Sequence, residues 1–153
     1  MRTRSIAVAC ATAALIIPAV ALAGTNTFDT SLKKGSQTTG KLSFKVQTNG
    51  QGTATKVTAI KVSGLKTRCV DANGKIIENG PVVSGSIGSA DIKTPKETGS
   101  RFYSFNKIKR SGNLRIGIRG LLSRKAPRVT GEAFANNNST DCSGRGSYKA
   151  KKK

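Results

Sequence analysis

The sequence predicts an all-β fold: a single antiparallel β-sandwich of about seven to nine strands, with a closed β-barrel as the alternative, preceded by an N-terminal signal helix. Short runs of residues alternate between apolar and polar side chains, which is the period of a strand with one buried face. Pairs such as Asn49-Gly50 and Asn79-Gly80 separate these runs as turn signals. After residue 23, no stretch keeps a helical apolar period over three turns, so little helix is expected.

Residues 1–23 have the pattern of a secretory signal peptide. Two arginines precede a largely apolar stretch over 6–22, and Ala21-Leu22-Ala23 fits the small-x-small cleavage rule. An uncleaved membrane anchor is the alternative, although an apolar stretch of this length is marginal for spanning a bilayer. We therefore expect the mature chain to begin at Gly24, to have no transmembrane span, and to be secreted or extracytoplasmic.

Two parts are predicted in the mature chain. Residues 24–40 are polar and poorly patterned, which indicates a flexible N-terminal arm. Residues 41–153 are predicted to form the β domain with its basic C-terminal tail. The alternation slips within 57–60 and again within 62–65, which predicts β-bulges or sharp bends. Strand-like runs lie at 41–46, 56–62, 65–70, 81–87, 101–108, 113–120, 128–135 and 146–150.

The cysteines predict a covalent link within the β domain. Signal cleavage would remove Cys10 and leave two cysteines, Cys69 and Cys142. In the oxidising setting of an exported protein these two are predicted to form a disulfide, and two buried free thiols are the alternative. A bonded pair leaves no thiol nucleophile, and the absence of histidine argues against a zinc site.

Two segments of the predicted β domain contain the motifs that suggest a family. One is GLKTRC, which ends at Cys69, and the other is the closing CSGRGSYKAKKK, a C-x-G-x-x-x-aromatic-x-Ala-basic pattern. With them, the chain resembles a group of small secreted all-β proteins from actinobacteria. Tyr148 supplies the aromatic residue, where tryptophan is expected in many members. The resemblance spans most of the mature chain; it implies a β fold and a disulfide, and no activity.

Motifs for catalysis do not stand out. Ser-x-x-Lys begins at Ser31, Ser63 and Ser104, about as often as chance gives, and the companion motifs of penicillin-recognising enzymes are missing. Carboxylates that could pair for glycoside hydrolysis fall mostly in predicted turns and loops. We therefore predict a protein that is not an enzyme and that needs no cofactor or metal.

The strongest functional indication is charge. The formal net charge of +20 falls only to +18 after signal cleavage, because Arg2 and Arg4 are the charged residues removed. A surface this basic attracts polyanions. For an exported protein, the expected partners are anionic cell-envelope polymers or lipid headgroups, bound electrostatically. The predicted contact residues are Lys41, Lys45, Arg115, Arg119, Lys149, Lys151, Lys152 and Lys153.

Two other functions stay open at this point. One is a small-ligand-binding β domain, and the other is a soluble secreted domain whose charge has no polyanion partner. Specific nucleic-acid binding is not favoured, because such surfaces usually add exposed aromatic side chains, and the few aromatics here mostly occupy inward strand positions. The sequence makes no prediction of oligomeric state.

Overall fold

Every element in the described part of the computed structural model is a β-strand. The structure describes residues 23–94, 102–126 and 128–152. The predicted signal helix and Lys153 lie outside the described residues. Within these ranges, no helix has the length and apolar character needed to cross a membrane. The strands are β1 (Gly24–Lys34), β2 (Gln37–Thr48), β3 (Ala54–Leu65), β4 (Arg68–Val70), β5 (Ile76–Ile77), β6 (Val83–Lys93), β7 (Phe102–Ser111), β8 (Leu114–Ser123), β9 (Arg128–Asn137) and β10 (Cys142–Lys151).

Eight of these strands close into a barrel. Each is antiparallel to the next in the order β1, β2, β3, β6, β7, β8, β9, β10, and β10 returns to β1 where Ser147 faces Lys33. The all-β prediction is confirmed, in the form of the closed barrel rather than the favoured sandwich. Because β1 pairs with both β2 and β10, it covers the two edges that the other strands would leave open.

Residues 24–40, predicted as a flexible arm, instead form β1 and the start of β2. β1 pairs with β2 from its first residue to its last. Phe28 and Leu32 are fully buried in the core, whereas Thr30 occupies the position between them. An alternation interrupted by polar residues gives a weak strand signal, so the pairing with both neighbours, rather than local propensity, determines this strand.

Side chains fill the interior of the barrel. Phe28 stacks on Phe44 with ring centroids 5.0 Å apart, and Phe44 lies 6.3 Å from the ring of Phe105 and 6.0 Å from that of Tyr148. Aliphatic residues from most strands pack around these rings and join them into one core. Among them are Leu42, Val46, Val57, Ile60, Val62, Ile118, Leu122 and Val129.

β3 carries the two irregularities that the sequence predicts. Its pairing with β6 shifts register within 57–60 and again within 62–65. Ala59 in the first shift has a left-handed φ of 51°, and Gly64 in the second has a φ of 64°. Each shift re-aims the strand, so the apolar residues on either side of it stay buried.

Two facing glycines make room for a buried tyrosine. Gly120 of β8 is paired with Gly131 of β9. A Cβ at Gly120 would come 2.6 Å from the ring of Phe105 and would also collide with the Tyr148 hydroxyl. That hydroxyl donates a hydrogen bond to the carbonyl of Arg119 at 3.3 Å. Tyr148 therefore links β10 to β8, which lies on the other side of β9.

β4 and β5 form a short hairpin outside the ring of eight strands. β4 pairs with the start of β10, where Cys69 faces Cys142. These cysteines form the predicted disulfide, with Cα atoms 3.9 Å apart. Cys69 also faces Ile77, and Val70 faces Ile76, across the hairpin. The disulfide therefore ties the hairpin to the barrel wall.

Candidate anionic-polymer interface

The cations predicted on strand faces lie on opposite walls of the barrel. Lys41 and Lys45 are exposed on β2, whereas Arg115 and Arg119 alternate with buried aliphatic residues on β8. Around the ring, β1, β10 and β9 separate β2 from β8. The structure therefore does not bring these four residues into one continuous surface.

The C-terminal lysines lie on a third wall. Lys149 and Lys151 are exposed on β10, and Lys152 follows them. The hydroxyl of Thr30 donates to the carbonyl of Lys149 at 3.1 Å, which ties this end of β10 to β1. Lys153 is beyond the described residues. Because β10 lies between β9 and β1, these lysines are placed between the two other groups of predicted cations.

The two arginines of β8 attract an external anion less strongly than their formal charge suggests. The Nε of Arg119 lies 2.8 Å from Oε1 of Glu132, and the Nε of Arg145 lies 3.7 Å from the same oxygen. A carboxylate shared in this way weakens the attraction of both guanidinium groups for a further anion. Arg115 is half-buried, and its Nε has no hydrogen-bond partner within the described ranges.

Another group of cations lines a cleft at the base of the β4–β5 hairpin. Lys34, Lys66, Arg68 and Arg145 border a space of about 520 Å³, which we call the cationic cleft. Among the described residues that line it, Glu78 supplies the one carboxylate, so positive charge exceeds negative charge by three, although Arg145 also lies 3.7 Å from Glu132 outside the lining. Uncharged polar side chains complete the lining: Gln37, Thr39, Thr67, Asn79, Asn136 and Ser143.

Separate segments of the chain meet to build the cationic cleft. The Lys66 amide donates to the carbonyl of Thr39 at 2.8 Å, which joins the β3–β4 link to β2. Gly144 of β10 lies against the same link, since a Cβ there would be 2.5 Å from the Lys66 carbonyl oxygen. Arg68 lies beside the disulfide on the β4–β10 pairing, which places it near Arg145.

The charged groups of the cleft suit carboxylate or phosphate ligands. The Nε of Arg68 lies 2.7 Å from Oε2 of Glu78, but both side chains are well exposed, so the pair contributes little and can yield to a competing anion. Lys34 and Lys66 form no ion pair with any described residue. Guanidinium groups bind such oxyanions in a bidentate fashion, and ammonium groups act as point charges. The cleft is therefore equipped to bind an anionic group.

Sequence reasoning missed these four residues because they are scattered from position 34 to position 145. It chose cations at regular outward positions of strands instead. One signal was available, since Arg68 and Arg145 lie within three residues of the cysteines predicted to be bonded. Lys66 lies three residues before Cys69 and shares this signal, whereas Lys34 had none, because its placement depends on β1 closing the barrel.

A second depression crosses the outer wall from β7 to β10. It has a volume of about 510 Å³ and is bordered by Arg119, Leu121 and Glu132, with Lys93 at its margin. Since Arg119 and Glu132 neutralise each other, this depression has less attraction for a polyanion than the cationic cleft has.

No described group of three or more His, Cys, Asp or Glu side chains is arranged to hold a metal ion. Comparison with protein-family models, with curated proteins and with solved structures finds no match to this chain. The resemblance to secreted actinobacterial β proteins therefore stays a prediction. A β-barrel serves many unrelated functions, so this fold does not by itself identify one.

Proposed function

We propose that this chain is a non-enzymatic, exported binding domain that associates electrostatically with anionic cell-envelope polymers or lipid headgroups. The observation that carries the proposal is the cationic cleft, where four cations from separate segments meet one carboxylate. The exposed lysines on the β2 and β10 walls add a longer-range attractive field. A surface of this kind binds a repeating anion by Coulomb attraction and counterion release.

The interior of the barrel favours this function over a small-ligand carrier. A carrier of this fold would hold its ligand between the strands. Here the rings of Phe28, Phe44, Phe105 and Tyr148 lie within about 6 Å of a neighbouring ring at the centre. The accessible binding groups are instead on the outside, where charge dominates.

Retention on immobilised polyanions across a salt series tests the proposal. Polyphosphate and polygalacturonate present the phosphate and the uronate chemistry separately. We expect retention in dilute salt, with the logarithm of affinity falling linearly with the logarithm of salt concentration. A mature chain that is retained neither on these polymers nor on anionic vesicles in dilute salt would overturn the proposal and favour a domain without a polyanion partner.

Two variants of equal net charge separate the cleft from the overall charge. The first combines Lys34→Ser with Lys66→Ser in the cationic cleft, and the second combines Lys41→Ser with Lys45→Ser on β2. Each lysine close to an anionic surface contributes up to about 1 kcal/mol, so we expect the cleft variant to bind about tenfold more weakly. The β2 variant should lose less than about threefold. Equal losses would show that total charge, and not the cleft, determines retention.

A further inference from the structure

We propose that the β4–β5 hairpin inserts into the headgroup region of an anionic lipid bilayer. This inference rests on the proposed function and selects the lipid surface from its two anionic partners. The hairpin carries Val70, Ile76 and Ile77, and Val82 follows it; we call these four residues the apolar cluster. Each of them is large, apolar and between 45 and 63% exposed. Three of the four lie on the five paired residues of the hairpin, and Val82 lies in the link to β6. Exposed apolar surface of this extent calls for a partner that removes it from water.

The apolar cluster is exposed on both faces of the hairpin. Val70 and Ile76 are directly opposite each other in register and therefore share one face, whereas Ile77 lies opposite Cys69 on the other. A flat protein surface would cover one face and leave the other in water. A bilayer interface surrounds an inserted element, so it removes apolar surface on both faces from water.

The tip of the hairpin satisfies its own hydrogen bonds. The amide of Asp71 donates to the carbonyl of Lys75 at 3.0 Å, and the amide of Gly74 donates to the carbonyl of Asp71 at 2.9 Å. The Asp71 carboxylate accepts from the amides of Asn73 and Lys75, both at 2.9 Å. Because these amides do not depend on water, the tip enters a headgroup region with a smaller desolvation cost than an open loop.

The base of the hairpin is fixed to the barrel. Besides the disulfide, the Val70 amide donates to the carbonyl of Asp141 at 3.2 Å, and the Gly80 amide donates to that of Thr67 at 2.9 Å. The Thr67 hydroxyl donates to the carbonyl of Pro81 at 2.6 Å. A projection that is already ordered loses little conformational entropy on binding.

Cations flank the apolar cluster. Arg68 lies two residues before Val70 on β4, Lys75 lies at the tip, and the cationic cleft borders the base. Two carboxylates lie nearby: Glu78 forms an exposed pair with Arg68, and Asp71 accepts hydrogen bonds from its own turn. An inserted hairpin would bring the cleft lysines close to lipid phosphates, which attract them. A polymer in solution offers charge but no apolar phase, and for this reason a lipid surface fits the hairpin better.

A tryptophan reporter tests insertion directly, because the chain contains no tryptophan of its own. Val70→Trp places the reporter on the hairpin, and Leu121→Trp places the matched control on β8, where Leu121 is 50% exposed. The vesicles contain phosphatidylcholine with about 30 mol% phosphatidylglycerol, with or without brominated acyl chains as quencher. We expect a blue shift and bromine quenching for Val70→Trp in anionic vesicles, and neither for Leu121→Trp.

Vesicle sedimentation adds a measurement that needs no reporter. Ile76→Ser and Leu121→Ser remove apolar side chains of similar exposure, 57 and 50%. We expect Ile76→Ser to lower partitioning onto the anionic vesicles about fivefold and Leu121→Ser to lower it less than about twofold. Both variants should bind immobilised polyphosphate as the unchanged chain does, because neither alters charge.

Three outcomes would overturn one or the other proposal. Vesicle binding with unshifted Val70→Trp emission would refute insertion and leave electrostatic association standing. A blue shift that grows with protein concentration in the absence of lipid would also refute it, and would assign the hairpin to a contact between two copies of the chain. A folded chain, with an intact disulfide, that binds neither polyphosphate nor vesicles would refute the proposed function itself.

Discussion

At the scale of single residues, Tyr148 couples the core to the backbone of a distant strand. Its ring lies in the core beside Phe44, and its hydroxyl donates to the Arg119 carbonyl in the space that Gly120 and Gly131 leave free. Burial raises the pKa of the Tyr148 hydroxyl far above its ordinary value of about 10, because the phenolate would lose its hydration. The folded protein therefore holds this proton more tightly than the unfolded chain does.

This difference predicts a loss of stability in alkaline solution. The pKa of Tyr148 is higher in the folded protein than in the unfolded chain. Its contribution to the free energy of unfolding is therefore fully present below about pH 10, and it declines as the pH rises further, by up to about 1.4 kcal/mol per pH unit. Urea unfolding from about pH 8 to about pH 11 measures it. Tyr148→Phe should lose about 1 kcal/mol at neutral pH and show a flatter alkaline decline. An equal decline in both proteins would contradict the assignment to Tyr148.

At the scale of elements, the β4–β5 hairpin depends on its attachments. β4 has three residues and β5 has two, which is too short for independent stability. The disulfide links positions 73 residues apart and lies where the hairpin joins β10. It therefore restricts the unfolded chain and also fixes Arg68 at the wall of the cationic cleft.

Removal of the disulfide should affect the hairpin more than the barrel. We expect Cys69→Ser with Cys142→Ser to lower the free energy of unfolding by about 4 kcal/mol, because the bridge closes a long loop. Hydrogen exchange should speed up at the amides of Val70 and Gly80 before it does in β8 or β9. Polyphosphate retention should also weaken, since Arg68 loses its fixed position. Uniform acceleration across all strands would show that the bridge stabilises the barrel as a whole.

The sequence predicted some strands well and others poorly, for a physical reason. β2 and β8 have aliphatic residues at alternate positions, so a period of two was clear and their strand predictions were correct. In β1, by contrast, only Phe28 and Leu32 are fully buried, and the turn and polar residues around them resemble an arm. The choice between sandwich and barrel depended on this one strand, because β1 supplies the closing pairs.

At the scale of the whole molecule, positive charge is spread around the barrel, and four cations come together in the cationic cleft. Alternation along a strand predicted correctly that Lys41, Lys45 and Lys149 are exposed. It could not predict which cations meet across strands, because that depends on barrel closure and on the path of the β3–β4 link. The charge sign of the candidate site was therefore predictable, but none of the four cations of the cationic cleft was predicted.

Deletion of Lys151–Lys153 should distinguish the effect of distributed charge on polyanion binding from the effect of the cationic cleft. The deletion removes three positive charges, one more than the double-lysine cleft variant, yet Lys151 and Lys152 are exposed and lie outside the cleft lining. We expect polyphosphate affinity to fall by no more than about threefold, with a slightly shallower salt dependence. Thermal unfolding should change by less than about 2 °C. A loss larger than that of the cleft variant would place the main contact at the C-terminus.

Barrel closure also determines when the chain can become structured. The β1–β10 contact includes a hydrogen bond from the Ser147 hydroxyl to the Lys33 carbonyl across 114 positions. Such a distant contact forms late, because the entropy of a long loop must be lost first. In a chain that crosses a membrane N-terminus first, β1 emerges early. It cannot pair with β10 until translation and translocation are nearly complete. A chain truncated before β10 keeps both sheet edges open, so incomplete products are the species most prone to strand-mediated aggregation.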